Sequence, residues 1–201
     1  MLKVGLTGGL ASGKTFVAGV FERLGCRVAY ADRMGHETLE PGGEAYHDVI
    51  RAFGPAIVAE NGSIDRKKLG AIVFAQNSRL DELNALIHPH VFRRQEAFFA
   101  EAERADSKAV AVVEAAIMIE TGSYKRYDKL VLAACPPEVQ IRRYMHREGA
   151  SEAQARARLD RQMPLDEKRK YADYVIDTSG TKVDTERQVR DVYAILKELA
   201  S

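Results

Sequence analysis

No stretch of the 201 residues is apolar for long enough to cross a bilayer, and the opening Met1-Leu2-Lys3-Val4-Gly5-Leu6 runs into glycines instead of a hydrophobic leader. These absences set the expectation of a cytoplasmic protein with neither signal peptide nor membrane anchor. Charge of one sign is also lacking. The 30 Lys and Arg stand against 29 Asp and Glu, a formal net charge of +1. So even a balance argues against a nucleic-acid groove or a membrane-binding face, which need concentrated positive charge. A small anionic ligand stays open, because a local basic cluster fits within a neutral protein. Cysteine is scarce: Cys26 and Cys135 are far apart and form no CxxC pair, which argues against metal ligation and a disulfide framework. Both read as buried reduced thiols. Internal repeats, low-complexity tracts and flexible linkers are missing too.

What remains is an ordinary globular composition, 46% hydrophobic and 29% charged, in a length that suits one α/β core with small insertions. Residues 2–7 read as a short buried strand ending at Gly8-Gly9. From Lys14 the period changes, and Phe16, Val17, Val20, Phe21 and Leu24 fall on one helical face that Gly25 stops. A second strand runs from about Arg27 to Ala31. Strand, glycine loop, helix and strand make a βαβ unit, the start of a parallel sheet. Residues 33–104 hold almost no β-like run; short helical pieces precede a longer helix from about Ser78 to Arg104, which Pro89 should kink. Strands resume at Ala109–Val113 and Leu130–Ala134. Pro136-Pro137 opens a helical stretch reaching residue 172, in which Ser151 and Gln154 form a plausible capping box. Tyr174–Ile176 is a last strand. A closing helix from about Thr185 to Leu199 puts Val189, Val192, Ile195, Leu196 and Leu199 on one face. The expectation is an α/β three-layer fold, a single domain of 1–201. Its core covers about 1–32, 105–136 and 173–201, with a helical insertion at about 33–104 and a helical lid at about 137–172.

The strongest chemical signal is Gly8-Gly9-Leu10-Ala11-Ser12-Gly13-Lys14-Thr15, a full match to G-x-x-x-x-G-K-[ST]. Its glycines let the backbone turn its N–H groups inward at a helix N-terminus, a nest for phosphate oxygens. Lys14 supplies a point charge to the β- and γ-phosphates, and the Thr15 hydroxyl can ligate Mg²⁺. The loop follows a predicted strand and opens a predicted helix, the context the motif requires. An N-K-x-D guanine-reading segment is absent, and Leu10-Ala11 replaces the early proline of adenylate kinases. A small-molecule kinase using ATP and Mg²⁺ is the class left.

Other residues come with open alternatives. Asp32, at the end of the second strand, can accept a proton from an attacking hydroxyl, help hold Mg²⁺, or cap a helix over 33–39. Between Glu138 and Lys170 nine Lys and Arg face six Asp and Glu, either a phosphate-covering flap or a solvated face. Arg143 and Arg147, four apart, share a helical side and are the candidates there for contact with ATP. His88 is either a substrate contact or a partner for backbone groups freed by Pro89. Glu114 and Glu120, flanking the end of the third strand, either serve the site, Glu114 as a substrate contact, or form structural ion pairs.

With these residues in hand, the chain resembles the dephospho-coenzyme A kinase family along nearly its whole length. The likeness rests on Leu6 to Thr15, Ala31-Asp32 with His36-Glu37, Asn84-Ala85-Leu86-Ile87-His88-Pro89 and Glu120-Thr121-Gly122. It continues through Arg143, Arg147, Gln162-Met163-Pro164-Leu165 and Ala172-Asp173-Tyr174-Val175-Ile176-Asp177. The resemblance implies a P-loop kinase fold with a CoA-binding insertion and a lid, and the phosphorylation by ATP of the ribose 3′-hydroxyl of dephospho-CoA. It implies Asp32 as base and residues 11–16 (Phe16 among them) as ATP-phosphate contacts. Gly9 is a further ATP-binding candidate, the expected partners are the small molecules ATP and dephospho-CoA, and a monomer and a small homo-oligomer both stay open. Three positions depart from the commoner pattern: Tyr30 stands for Asp, Glu114-Ala115-Ala116 for Val-Pro-Leu, and Phe16 follows Thr15 where Ser-Thr is usual. The alternatives are another small-molecule kinase acting on a nucleoside or nucleotide, and a nucleotide-binding regulator without turnover.

Overall fold

In the computed structural model, which describes residues 1–201 apart from the side chains of Phe74 and Asn77, the chain divides into two compact units. Met1–Ala29 with Phe99–Ser201 form the first, Tyr30–Phe98 the second.

The first unit is built on a five-stranded sheet. Its strands are β1 (Leu2–Gly8), β2 (Arg27–Tyr30), β3 (Val110–Glu114), β4 (Lys129–Ala134) and β5 (Tyr174–Asp177), in the order β2-β3-β1-β4-β5. The β1–β3, β1–β4 and β4–β5 pairings are all parallel. Parallel strands need crossovers, and these set helices on both faces. Strands covered on both sides read as continuous apolar runs, which is why Val110–Glu114 is buried at every position. Val4 and Leu6 of the central β1 are wholly buried. Helix α1 (Lys14–Arg23) buries Val17, Ala18, Val20 and Phe21 and ends where Leu24 and Gly25 turn the chain; Phe16 stays partly exposed. The second strand stops at Tyr30, one residue short of the expected Ala31, because a helix begins there.

Four helices make up most of the second unit: α2 (Ala31–Thr38), α3 (Tyr46–Phe53), α4 (Arg66–Ala75) and α5 (Asn77–Ala105), the last running on into the first unit. Asp65 caps α4 by accepting the Lys67 and Lys68 amides at 2.9 and 3.1 Å. Ala45, Val49, Phe53, Ile57, Ile64, Leu69, Val73 and Leu83 form this unit's own core. Arg94 of α5 forks onto Glu44 at 2.8 and 2.9 Å and reaches Glu37 of α2 at 2.6 Å. The Arg94 hydrogen bonds to Glu44 hold its carboxyl down at about 2. Helix α5 continues through Pro89.

The remaining helices of the first unit are α6 (Pro137–Glu148), α7 (Glu152–Leu159), α8 (Leu165–Arg169) and α9 (Lys182–Leu199). The capping box at Ser151 and Gln154 is present, opening α7. Helix α9 starts earlier than Thr185 because Thr181 caps it, accepting the Asp184 amide. Of its apolar face Val189, Val192 and Leu196 are buried, while Ile195 and Leu199 remain 44% and 50% exposed at the margin. Both cysteines are buried free thiols, and burial pushes Cys26 up to about 12.

Candidate active site

The sheet delivers β1 to its carboxyl end, the side on which open parallel sheets place ligands. There Gly8 leaves the strand, and a Cβ on it would run into the carbonyl oxygen of Ala133 on the neighbouring β4. Gly13, at φ 86°, is the turn that launches α1, a conformation glycine adopts without strain. The loop closes on itself through Ser12 N–H to Gly9 O at 3.2 Å. It is braced from β5's end by the buried Thr178, whose single hydroxyl proton is shared between Ser12 O at 2.6 Å and Ala134 O at 3.1 Å. Lys14 arches over the loop, its Nζ donating to Gly9 O at 3.1 Å. The result is a glycine-hinged loop at the N-terminus of a ten-residue helix, with an ammonium group above it. Ser12 Oγ is buried and has no hydrogen-bond partner among the described residues. A buried polar atom left that way is what a missing ligand oxygen would satisfy.

Next to this loop, Thr15 Oγ1 lies 3.5 Å from Glu114 Oε2. Glu114 ends β3 in register with Leu6 of β1 and is 8% exposed, so the sheet itself holds this carboxylate beside the loop. Burying a carboxylate is unfavourable unless positive charge or donors compensate it. Hard oxygen donors from one hydroxyl and one carboxylate suit Mg²⁺, which keeps several waters and takes its remaining ligands from substrate phosphates. No cluster of three or more His, Cys, Asp or Glu capable of holding a metal occurs among the described residues, and this type of site does not need one. The pair therefore fits the ion.

The lid arginines separate. Arg143 of α6 donates to Thr178 O at 2.6 Å and leans on Cys135 Sγ at 3.7 Å, which ties it to the residue bracing Ser12. Arg147, a turn later, is exposed, pairs with Glu148 at 2.7 Å and lies 5.9 Å from the Tyr144 ring. Of this pair, Arg143 is the one built into the loop's support. Glu120 resolves as a structural ion pair: it meets the fully buried Lys168 at 2.8 Å and accepts the Met163 amide at 3.1 Å. Lys168 also donates to Ala116 O at 3.2 Å.

In the second unit Asp32 is exposed and occupies the first turn of α2, where the helix dipole favours a carboxylate. The expected cap for a helix over 33–39 is corrected: the helix starts at Ala31 and Tyr30 holds the N-cap position. His36 is one turn on from Asp32. Burial and the Arg66 charge lower its imidazole against the opposite pull of Asp32 and Glu40. His88 of α5 is half-buried, 5.9 Å from the Phe92 ring, and burial holds it below the usual histidine range. Phe16, for its part, places its ring 5.8 Å from Lys182 Nζ.

Three residues of this site carry no role in the sequence reading. Thr178 follows β5 directly, one residue past Asp177, and no local pattern in the sequence marks it. Gln140 is buried on α6 with its Nε2 donating to Cys135 O at 2.9 Å; a glutamine on an apolar helix face was the available signal. Gln162 accepts the Leu10 amide at 2.8 Å.

Comparison with known proteins agrees with this geometry. The family model described as dephospho-CoA kinase matches residues 2–184. The dephospho-CoA kinase of Geobacter metallireducens is 43% identical over 189 residues, covering 94% of each chain. That of Geobacillus kaustophilus is 42% identical, covering 98% of this chain and 96% of its own. The crystal structure of TT1252 from Thermus thermophilus superposes with a TM-score of 0.84 at 32% identity, over 96% of this chain and 97% of that one. This chain belongs to the dephospho-CoA kinase family.

Proposed function

We propose that the protein transfers the γ-phosphoryl group of ATP to the ribose 3′-hydroxyl of dephospho-CoA, giving CoA and ADP. The observation that carries the reading is the loop Gly8–Thr15: a nest at a helix N-terminus, crossed by Lys14 Nζ and holding a buried unpartnered Ser12 hydroxyl, in a chain of this family. Amides of the loop with Lys14 bind the triphosphate and stabilise the charge that gathers on its oxygens during transfer. Thr15 and Glu114 would hold Mg²⁺, which neutralises phosphate charge when bound. Asp32 accepts the proton of the 3′-hydroxyl as that oxygen forms its bond to the γ-phosphorus, and the bond from phosphorus to the β-bridging oxygen breaks, leaving ADP. Arg143 supports the loop through Thr178, and the helical insertion at about 33–104 carries the CoA-binding surface, His88 among its candidates. No helix among the described residues is long and apolar enough to cross a membrane. We place the reaction in the cytoplasm, carried out by a monomer or small homo-oligomer.

An acceptor panel tests this. Purified protein with ATP and Mg²⁺ is expected to release ADP with dephospho-CoA at a kcat/KM far above that with any nucleoside, nucleotide or sugar. A nucleoside preferred over dephospho-CoA would overturn the substrate, and ATP binding without turnover on any hydroxyl would overturn the enzyme.

A further inference from the structure

Gln162 lies in the turn between α7 and α8, and its side-chain oxygen accepts the backbone N–H of Leu10 at 2.8 Å. Leu10 is part of the phosphate loop but stands just before residues 11–16, so this bond leaves the amides read as phosphate donors open. The next residue, Ala11, has φ 48°, the one non-glycine position in the left-handed region among the described residues. A Cβ there crowds the following carbonyl oxygen, and a free alanine avoids the conformation. The surroundings impose it. Leu10 and Ala11 pack against the Ile141, Tyr144 and Ala155 cluster of α6 and α7. Thr178 grips Ser12 O on the far side at 2.6 Å, and Gln162 fixes the Leu10 amide on the near side. Gln162 is itself held in place, because Met163 donates to Glu120, which is locked to Lys168.

We propose that Gln162 is a positioning residue for ATP. By fixing the Leu10 amide it keeps the Leu10-Ala11 peptide in the left-handed geometry that turns the following N–H groups toward the phosphates. The nest is then formed before the nucleotide arrives, and binding does not spend free energy on forming it. The inference rests on the reading of Gly8–Thr15 as the ATP phosphate loop.

The test is a double-mutant cycle read by calorimetric titration with a non-hydrolysable ATP analogue. Gln162→Ala removes the acceptor and is expected to weaken the analogue by about tenfold. Gln162→Met, which keeps side-chain volume without the acceptor, gives the same loss. In an Ala11→Gly background, where residue 11 reaches positive φ freely, Gln162→Ala weakens binding by less than about threefold. In turnover the KM for ATP rises while that for dephospho-CoA stays unchanged, a split that general destabilisation would not produce. An equal loss in both backgrounds would overturn the proposal, because Gln162 would then touch the nucleotide itself. Unchanged or tighter binding in Gln162→Ala would overturn it as well. Failure of the unaltered protein to bind the analogue would instead remove the phosphate-loop reading, and the inference with it.

Discussion

Lys14 and Asp32 carry different parts of the proposed reaction, and their removal separates those parts. Lys14 Nζ rests on Gly9 O at 3.1 Å, poised over the loop that receives the triphosphate. Lys14→Ala takes a positive charge from both bound ATP and the transition state, so ATP affinity falls and kcat falls by about 10²–10³. Asp32→Asn keeps the shape and removes the base. Its kcat is expected to fall by about 10²–10⁴ with ATP affinity nearly intact. Single-turnover rates beside equilibrium ATP titrations separate the two, and near-normal turnover in Asp32→Asn would remove it as base. The loop's chemistry was legible in the sequence because its causes are local. A strand, glycines that permit unusual φ, a lysine and a helix start lie within fifteen residues. Gln162 and Thr178 were not legible as parts of it, since each reaches the loop through tertiary packing from more than 150 positions away along the chain.

At the scale of elements, the ion pair between Glu120 and Lys168 anchors α8 to the segment after β3. Lys168 is fully buried while Glu120 keeps 21% of its side-chain surface exposed. Deleting the carboxylate therefore leaves a buried ammonium with the Ala116 carbonyl as its one remaining partner among the described residues. Glu120→Ala is expected to destabilise the fold by about 3 kcal/mol, whereas Glu120→Ala with Lys168→Met, which removes both charges, recovers most of that. Urea titrations of the three proteins check it, and a double variant no more stable than Glu120→Ala would contradict it. The sequence left Glu114 and Glu120 equivalent, both flanking one strand end. What distinguishes them is register and reach: Glu114 is the last β3 residue, aligned with Leu6, while Glu120 lies beyond the strand where α8 meets it. Helix boundaries were misread for a related reason. Tyr30 and Thr181 take cap positions that neighbouring structure decides, and apolar periodicity alone does not mark them.

Over the whole molecule, stability should depend on pH through its histidines. Burial lowers both His36 and His88 in the folded chain, so the unfolded chain binds more protons below the ordinary histidine value. Stability is then fully present above a pH of about 6.5 and declines as the pH falls from there toward the folded values. His36→Gln with His88→Gln should flatten that decline, measured as urea midpoints across the pH range; an unchanged slope would contradict the assignment. The alternation of strand and helix, the helical block after β2 and the sheet's apolar strands were all readable from periodicity, because burial on two faces leaves a continuous apolar signature. The strand order was not, since pairing partners far apart in sequence leave no local mark. Whether the chain moves the phosphoryl group onto the ribose 3′-oxygen of dephospho-CoA, as proposed, is read from the ³¹P NMR spectrum of the product. One new phosphomonoester resonance is expected, coupled to the ribose 3′ proton and growing in step with ADP. A resonance at another position, or inorganic phosphate in its place, would contradict it.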